Sequence, residues 1–149
     1  MKYYLKFMAM IIASTTVMLG LMYLNTYSID HVFWSETRFY MALIMGAAMA
    51  VVMMAFMHKM YPSSAINAGI VGASVLVFTL SLWLVRSQAT IGDVAWMRAM
   101  IPHHSIAILT SERAQISDPR VRALADGIIE TQRREIAAMK ALISDLQSR

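Results

Sequence analysis

The sequence predicts an all-α protein in which three transmembrane helices are followed by a C-terminal antiparallel helical hairpin. Of the 149 residues, 58% are hydrophobic and 15% are charged, whereas soluble domains average about 45–50% and about 25%. Three segments of 18 to 20 residues carry no charged side chain, and the chain after residue 86 has helical amphipathic periodicity. This composition excludes a disordered chain, and the dilute net charge of +4 indicates no nucleic-acid partner.

The predicted membrane domain, residues 1–86, contains spans at about 7–24, 39–57 and 66–85. Each span is long enough to cross a hydrocarbon core of about 30 Å at roughly 1.5 Å per residue. The first span ends without a small-residue cleavage site, so we expect an uncleaved anchor rather than a signal peptide. Aromatic residues lie at the ends of the spans, as at a membrane–water interface: Tyr3, Tyr4, Tyr23, Tyr27, Trp34, Tyr40, Tyr61 and Trp83.

The basic residues of the short loops predict the orientation of the spans. Lys2 and Lys6 precede the first span and Lys59 follows the second, whereas the loop between these spans holds only Arg38 beside two acidic residues. We therefore expect the N-terminus in the cytoplasm and the C-terminal domain outside it. The prediction is a protein of the bacterial inner membrane, with lipid around its spans and residues 87–149 in the periplasm.

The extracytoplasmic domain is expected to form two amphipathic helices joined by a tight turn. The first helix should begin with Thr90 as its N-cap and run to about residue 116. The turn is predicted at Asp118 and Pro119, because aspartate is a good N-cap and proline suits the first helical position. The second helix should run to about residue 146 with an apolar stripe on one face: Val121, Leu124, Ile128, Met139, Leu142 and Leu146.

Folding this hairpin about its turn brings five candidate metal ligands to one level: Met97, Met100, His103, His104 and Met139. Imidazole binds several transition metals, and a thioether selects soft ions such as Cu(I). Gln132 and Glu135 interrupt the apolar face at the same level, where we expect them to orient the ligands by hydrogen bonds. The alternative is a helix pair in which these side chains only pack and bond to one another. We expect no ligand role for the loop residues His31 and His58.

Over about residues 90–147 the chain resembles the domain-of-unknown-function 305 family. The resemblance rests on Met100-Ile-Pro-His-His and on Gln132-x-x-Glu-Ile-x-x-Met. It implies a ferritin-like helical bundle and periplasmic copper binding. It also implies that the metal residues are Met100, His103, His104 and Met139. Members of this family often have a further methionine at the position where this chain has Thr110.

The second span has a methionine at every fourth position: Met41, Met45, Met49, Met53 and Met57. Successive methionines drift by about 40° around the helix, so they form a slowly winding stripe. Ala42, Gly46 and Ala50 run beside it and allow another helix to approach closely. The stripe either packs against neighbouring helices or contacts Cu(I) through its thioethers. No charged residue lies within a span, which disfavours a transport pathway.

The leading functional hypothesis is a membrane-anchored, periplasm-facing protein that binds copper, before other transition metals, for storage, resistance or delivery to a copper-handling partner. The alternatives are a structural or accessory membrane subunit whose His/Met cluster only packs, and a copper transporter that uses the methionine stripe. A single hairpin leaves apolar surface uncovered, so we expect a homodimer that completes a four-helix bundle. We expect no enzyme activity, because no nucleophile has a base partner and the hairpin lacks Glu-x-x-His.

Overall fold

The computed structural model describes residues 2–148, and all regular secondary structure within that range is helical. The predicted all-α class is therefore confirmed. Two short 3-10 segments, Ile29–His31 and His58–Met60, lie in loops. The α-helices are α1 (Lys2–Leu21), α2 (Glu36–Met57), α3 (Ser64–Ser87), α4 (Asp93–Arg113) and α5 (Pro119–Ser148).

The chain forms two compact units. The membrane unit consists of residues 2–22 and 37–90, and it contains α1, almost all of α2, and α3. The α4–α5 unit consists of residues 23–36 and 91–148. The loop 23–36, which joins α1 to α2 and which the sequence analysis placed in the membrane domain, thus belongs to the α4–α5 unit.

Helices α1, α2 and α3 are each long and apolar enough to cross a membrane, and they coincide with the three predicted spans. α1 includes the charged residues Lys2 and Lys6 and ends at Leu21, three residues before the predicted end. α3 begins after Ser63, whose hydroxyl accepts a hydrogen bond from the N–H of Ile66 at 3.4 Å. The long stems of lysine allow a helix to continue past its uncharged segment while the ammonium group reaches water.

Small residues on α2 allow α1 to approach closely. Ala42, Gly46 and Ala50 are all buried, as expected for a small-residue stripe at a helix contact. A Cβ atom at Gly46 would collide with the hydroxyl of Thr15 on α1. Glycine is therefore the residue that fits at this point of contact.

A second contact region of the membrane unit surrounds Tyr61. The ring of Tyr61 meets Phe7 edge-on with centroids 5.4 Å apart, and its centroid lies 5.3 Å from that of Tyr4. The Tyr4 hydroxyl accepts a bond from the N–H of Ser63 and donates to Oδ1 of Asn67, each at 3.0 Å. These contacts tie the beginning of α1 to the beginning of α3.

In the second unit, α4 and α5 share one apolar core, and their contacts run in opposite order along the two helices. Near the turn, the Arg122 guanidinium donates to the carbonyl of Ser111 at 3.0 Å, whereas His104 lies beside Glu135 further from the turn. Phe33 of the loop 23–36 packs against this core. The buried core residues are Met97, Ile101, Ile108, Ile136, Met139 and Ile143.

The first residues of α4 and α5 test the predicted helix caps. Asp118 caps α5 as expected, because its carboxylate accepts a bond from the N–H of Arg120 at 2.8 Å, and the helix begins at the proline between them. The predicted cap of α4 is wrong, since this helix begins at Asp93, three residues after Thr90. The Thr90 hydroxyl instead bonds to the hydroxyl of Tyr40 at 3.0 Å.

The apolar stripe predicted for α5 does not face α4, so this prediction is wrong. A single partner helix covers only a narrow seam of about two residues in seven, and the seam here includes Ala125, Ile136, Met139 and Ile143. Of the predicted stripe only Met139 is buried, while the rest of it stays exposed: Val121, Leu124, Ile128, Leu142 and Leu146. α5 therefore has two neighbouring apolar faces, and α4 covers one of them.

Candidate metal centre

Three of the five predicted ligands lie in or against the core of the α4–α5 unit. Met97 and Met139 are buried members of that core, and Met100 packs against it half-buried. Met97 and Met100 lie about one turn apart on α4, whereas Met139 comes from α5. The two helices thus bring thioether groups together in an apolar environment.

His104 combines burial with a charged neighbour. Its side chain is 15% exposed, and its Nδ1 lies 3.6 Å from Oε2 of Glu135, a side chain that is 50% exposed. This distance is too long for a hydrogen bond, and Nδ1 is buried without a hydrogen-bond partner among residues 2–148. Burial lowers the pKa of His104, an effect that Glu135 opposes and His103 reinforces. The imidazole is therefore mainly neutral at pH 7.

His103 and Gln132 have different surroundings. His103 is exposed, and its ring centroid lies 6.2 Å from that of His104. Gln132 is half-buried, and its Oε1 is a further buried polar atom that finds no hydrogen-bond partner within the described part of the chain. Buried polar atoms without partners are uncommon in folded proteins, and an ion or a water often accounts for them.

The loop 23–36 supports α4 beside the candidate ligands. Ser105, the fully buried neighbour of His104, accepts a bond from the N–H of Tyr27 at 2.7 Å. Its hydroxyl also lies 2.9 Å from Nδ1 of His31. Because burial lowers the pKa of His31, the neutral ring can accept the hydroxyl proton there. These bonds hold the helical turn that carries His104.

Two further contacts hold the same loop to α5. Lys140 Nζ donates to Oδ2 of Asp30 at 2.5 Å, and the Arg133 guanidinium lies over the ring of Tyr27, 5.9 Å from its centroid. Hydrogen bonds from Lys140 and Ser28 lower the pKa of Asp30 to about 2. The loop therefore contacts both helices of the unit.

This supporting role of the loop was not predicted from the sequence. Tyr27 was expected in the aromatic belt of the membrane, and for His31 only the absence of a ligand role was predicted. Phe33 was the available signal, because an apolar ring that follows Asp30 and His31 suggests a loop packed on protein. That signal was weak beside so many interfacial aromatic residues.

No group of three His, Asp or Glu side chains that could hold a metal occurs among the described residues. A metal centre in this unit therefore needs thioether ligands. The residues present fit a soft ion, because thioethers carry no proton and the neutral His104 offers an unpartnered nitrogen. They fit zinc less well, since zinc favours thiolate, imidazole and carboxylate and the chain has no cysteine.

The methionines of α2 lie at the edge of the apolar cluster around Tyr61. Met49, Met53 and Met57 pack against that cluster half-buried, whereas Met41 is exposed. The buried methionine of this region is Met54, which is outside the predicted stripe. These contacts are typical of packing side chains, and metal contact by the stripe stays a prediction.

Comparison with known proteins gives two similarities. The family model described as domain of unknown function (DUF305) matches residues 84–148. The chain is also 32% identical over 109 residues to the uncharacterized protein L153 of Acanthamoeba polyphaga mimivirus, an alignment that covers 72% of this chain and 70% of that protein. No solved structure matches the chain.

Proposed function

This chain belongs to the DUF305 family, and we propose that it is a membrane-anchored copper-binding protein whose site lies between α4 and α5. The observation that carries the proposal is the buried Nδ1 of His104, which has no hydrogen-bond partner among the described residues and belongs to the helix pair that buries Met97 and Met139 and half-buries Met100. A buried nitrogen of this kind is costly unless something binds it. A metal ion would satisfy it.

Cu(I) is the ion that this donor set favours. Soft thioether ligands select Cu(I) over harder ions, and neutral imidazole binds it without releasing a proton. Met97, Met100, His104 and Met139 would supply these donors, with His103 as a ligand at the exposed side. Glu135 and Gln132 would orient the imidazoles rather than bind the ion.

The membrane unit would hold this site at the surface of the bacterial inner membrane, on its periplasmic side. Thioether and imidazole groups would bind Cu(I) without any oxidation or covalent reaction. The site therefore suits storage of Cu(I) or its delivery to a copper-handling partner. We propose no enzymatic role. A homodimer would join two helix hairpins into a ferritin-like four-helix bundle, the arrangement that gives such faces a common core.

The competing proposal is an accessory membrane subunit in which His104 and Glu135 only pair with each other. It predicts that removal of the histidines changes stability but not metal content. Transport through the methionine stripe of α2 has less support, because Met49, Met53 and Met57 pack against an apolar cluster and no charged residue lies within the predicted spans.

Metal content separates these proposals. The full chain would be expressed in copper-supplemented cells, purified in detergent under reducing conditions, and measured by inductively coupled plasma mass spectrometry. We expect bound copper in the wild type, and its loss in the double variant His103→Ala/His104→Ala. His58→Ala is the matched control, because His58 is an exposed loop histidine. A wild type without copper, or equal copper in all three proteins, would contradict the proposal.

A further inference from the structure

The loop 23–36 contacts one side of the α4–α5 pair. The seam between the helices consists of Met97, Ile101, His104 and Ile108 of α4 and Ala125, Ile129, Gln132, Ile136, Met139 and Ile143 of α5. The polar and cation–π contacts of the loop fall on residues that directly follow seam positions. Ser105 follows His104, Arg133 follows Gln132, and Lys140 follows Met139. One residue corresponds to about 100° around a helix, and in two helices of opposite direction the following residues lie on the same side of the pair. The loop therefore occupies that side of the unit.

Within residues 2–148 no such loop contact is present on the opposite side, which we call the open face. It consists of residues that directly precede the seam positions: Trp96, Met100, His103 and Ala107 of α4, and Leu124, Ile128, Thr131, Glu135, Ala138 and Leu142 of α5. Trp96 is 49% exposed, Leu124 65% and Leu142 52%. Exposed large apolar side chains that share one face mark an interaction surface.

The open face also has fewer charged residues than the side that the loop contacts. On α5, the side that the loop contacts at Arg133 and Lys140 also carries the exposed Asp126 and Glu130, whereas the open face carries Glu135 as its charged residue over 124–142. A face exposed to water would not be expected to contain one charge among several large aliphatic residues. Depletion of charge together with an aromatic anchor is typical of the centre of a protein interface.

The contacts between α4 and α5 also fix which open-face residues are neighbours. His104 lies beside Glu135, and Ser111 lies beside Arg122. Along the helix axes, His103 therefore lies at the same height as Glu135. Trp96 lies two helical turns further from the α4–α5 turn, at the same height as Leu142. The open face thus has Trp96 across from Leu142, and His103 across from Glu135.

We propose that the open face binds the open face of a second copy of this chain, and that the two copies complete the metal centre between them. The proposal rests on the copper-binding function above and names the partner that this site requires. A two-fold axis along the helices would place Trp96 of each copy on Leu142 of the other, as an isologous interface requires. It would also place His103 of each copy opposite Glu135 of the other, which are complementary groups.

The size of the face is sufficient for a dimer. α4 has 21 residues, which corresponds to about 30 Å at roughly 1.5 Å per residue. Two helices about 10 Å apart make the face about 20 Å wide, or about 600 Å² per copy. Specific interfaces bury about 800 Å² per partner, with a range of roughly 600–1,000 Å².

The partner would change the surroundings of the site. In one copy, Met97 and Met139 are buried, but His104 and Met100 are only half-buried and His103 is exposed. A second open face would shield His103 and Met100 from water and bring Glu135 of the other copy to the imidazole of His103. Hydrogen bonds of this kind orient a ligand histidine and fix its tautomer.

Site-specific cross-linking tests the proposed surface without copper. The chain contains no cysteine, so a single introduced cysteine reports on one position. Ala138 and Ala137 are adjacent exposed alanines, and Ala138 lies on the open face whereas Ala137 lies on the other side. In the metal-free full chain in nanodiscs, we expect a short bismaleimide to link Ala138→Cys into dimers and Ala137→Cys at most weakly. No dimer, or equal linkage of both variants, would overturn the proposed surface.

A charge on the open face tests whether the partner completes the site. Leu142→Lys should make the protein monomeric by light scattering and weaken Cu(I) at least tenfold, whereas Ser144→Lys on the loop side should change neither. Circular dichroism would confirm that both variants keep their helices. A monomeric Leu142→Lys variant with wild-type Cu(I) affinity would overturn the shared site and leave the proposed function standing. A wild type that binds no Cu(I) would overturn both, while the cross-linking result decides the surface by itself.

Discussion

At the scale of single residues, the proposed copper site depends on the protonation of His104 and on the neighbours of its ring. Burial favours the neutral imidazole, and the nearby Glu135 carboxylate favours the charged form, with burial the larger effect. The outcome is a neutral ring whose Nδ1 is buried and finds no hydrogen-bond partner in the described structure. A neutral imidazole is the form that binds a metal. The cluster therefore needs no large change in protonation to accept an ion.

Glu135→Gln tests whether this carboxylate orients the ligands. If it acts only through the imidazoles, the substitution should weaken Cu(I) by about 10–100-fold rather than abolish binding. Competition with a chromophoric Cu(I) chelator measures the change. Glu130→Gln is the control, because Glu130 is exposed and its Oε1 lies 4.0 Å from Nη1 of Arg134. This substitution should leave the Cu(I) affinity unchanged. Complete loss of Cu(I) in Glu135→Gln would instead identify the carboxylate as a ligand.

Two half-buried histidines, His31 and His104, predict how stability depends on pH. The pKa of His31 and that of His104 are both lower in the fold than the ordinary value of 6.5. Below that value the unfolded chain binds more protons than the fold, so acidification should destabilise the protein. The pKa of Asp30, lowered to about 2 from 3.8, affects stability only at lower pH.

Thermal unfolding of the metal-free protein in detergent checks this dependence. The melting temperature should fall between pH 7.5 and pH 5.5, and it should fall less in the double variant His31→Asn/His104→Asn. A melting temperature that rises on acidification would mean that these rings are charged in the fold.

At the scale of helices, features that are encoded within one helix could be predicted from the sequence. Features that depend on which helix packs against another could not. The spans follow from uncharged runs, and the start of α5 follows from Asp118, because each signal lies within the element itself. The seam of α5 depends on which of two neighbouring apolar faces meets α4. Leu124 and Leu142 are as apolar as Ile136 and Ile143, so the periodicity of α5 could not choose between the faces.

The contact between α1 and α2 gives a prediction about packing. Gly46→Ala should destabilise the membrane unit by roughly 1–3 kcal/mol, because the new Cβ would collide with the Thr15 hydroxyl. Denaturation in mixed micelles measures the effect. The double variant Gly46→Ala/Thr15→Ala removes the colliding group and should recover part of the loss. A single variant as stable as the wild type would mean that the helices do not meet at Gly46.

At the scale of the whole molecule, the chain joins a membrane unit to a smaller α4–α5 unit through the loop 23–36 as well as through residues near 90. The approach of His104 to Glu135 could be predicted from the positions of both residues relative to the turn, while the five metal-ligand assignments stay predictions. The support of α4 by Tyr27 and His31 could not be predicted, since contacts between a loop and a helix 78 residues apart leave no periodic signal.

The orientation in the membrane is predicted by the positive charges near α1 and α2. An alkaline phosphatase fused after residue 149 should be active in a bacterial host, because Lys2, Lys6 and Lys59 favour the cytoplasmic side. A fusion after residue 62 should be inactive and provides the control. Activity of the second fusion and inactivity of the first would reverse the orientation and contradict a periplasmic site.

The most direct test of the copper proposal is a Cu(I) competition titration of the full chain against two ligand variants. We predict that Met100→Leu and His104→Ala each weaken Cu(I) at least tenfold, while Met60→Leu in an exposed loop has no effect. Met100→Leu roughly conserves volume and should cost less than about 1.5 kcal/mol of stability, so lost affinity would not reflect unfolding. Wild-type affinity in both variants would contradict the metal site between α4 and α5.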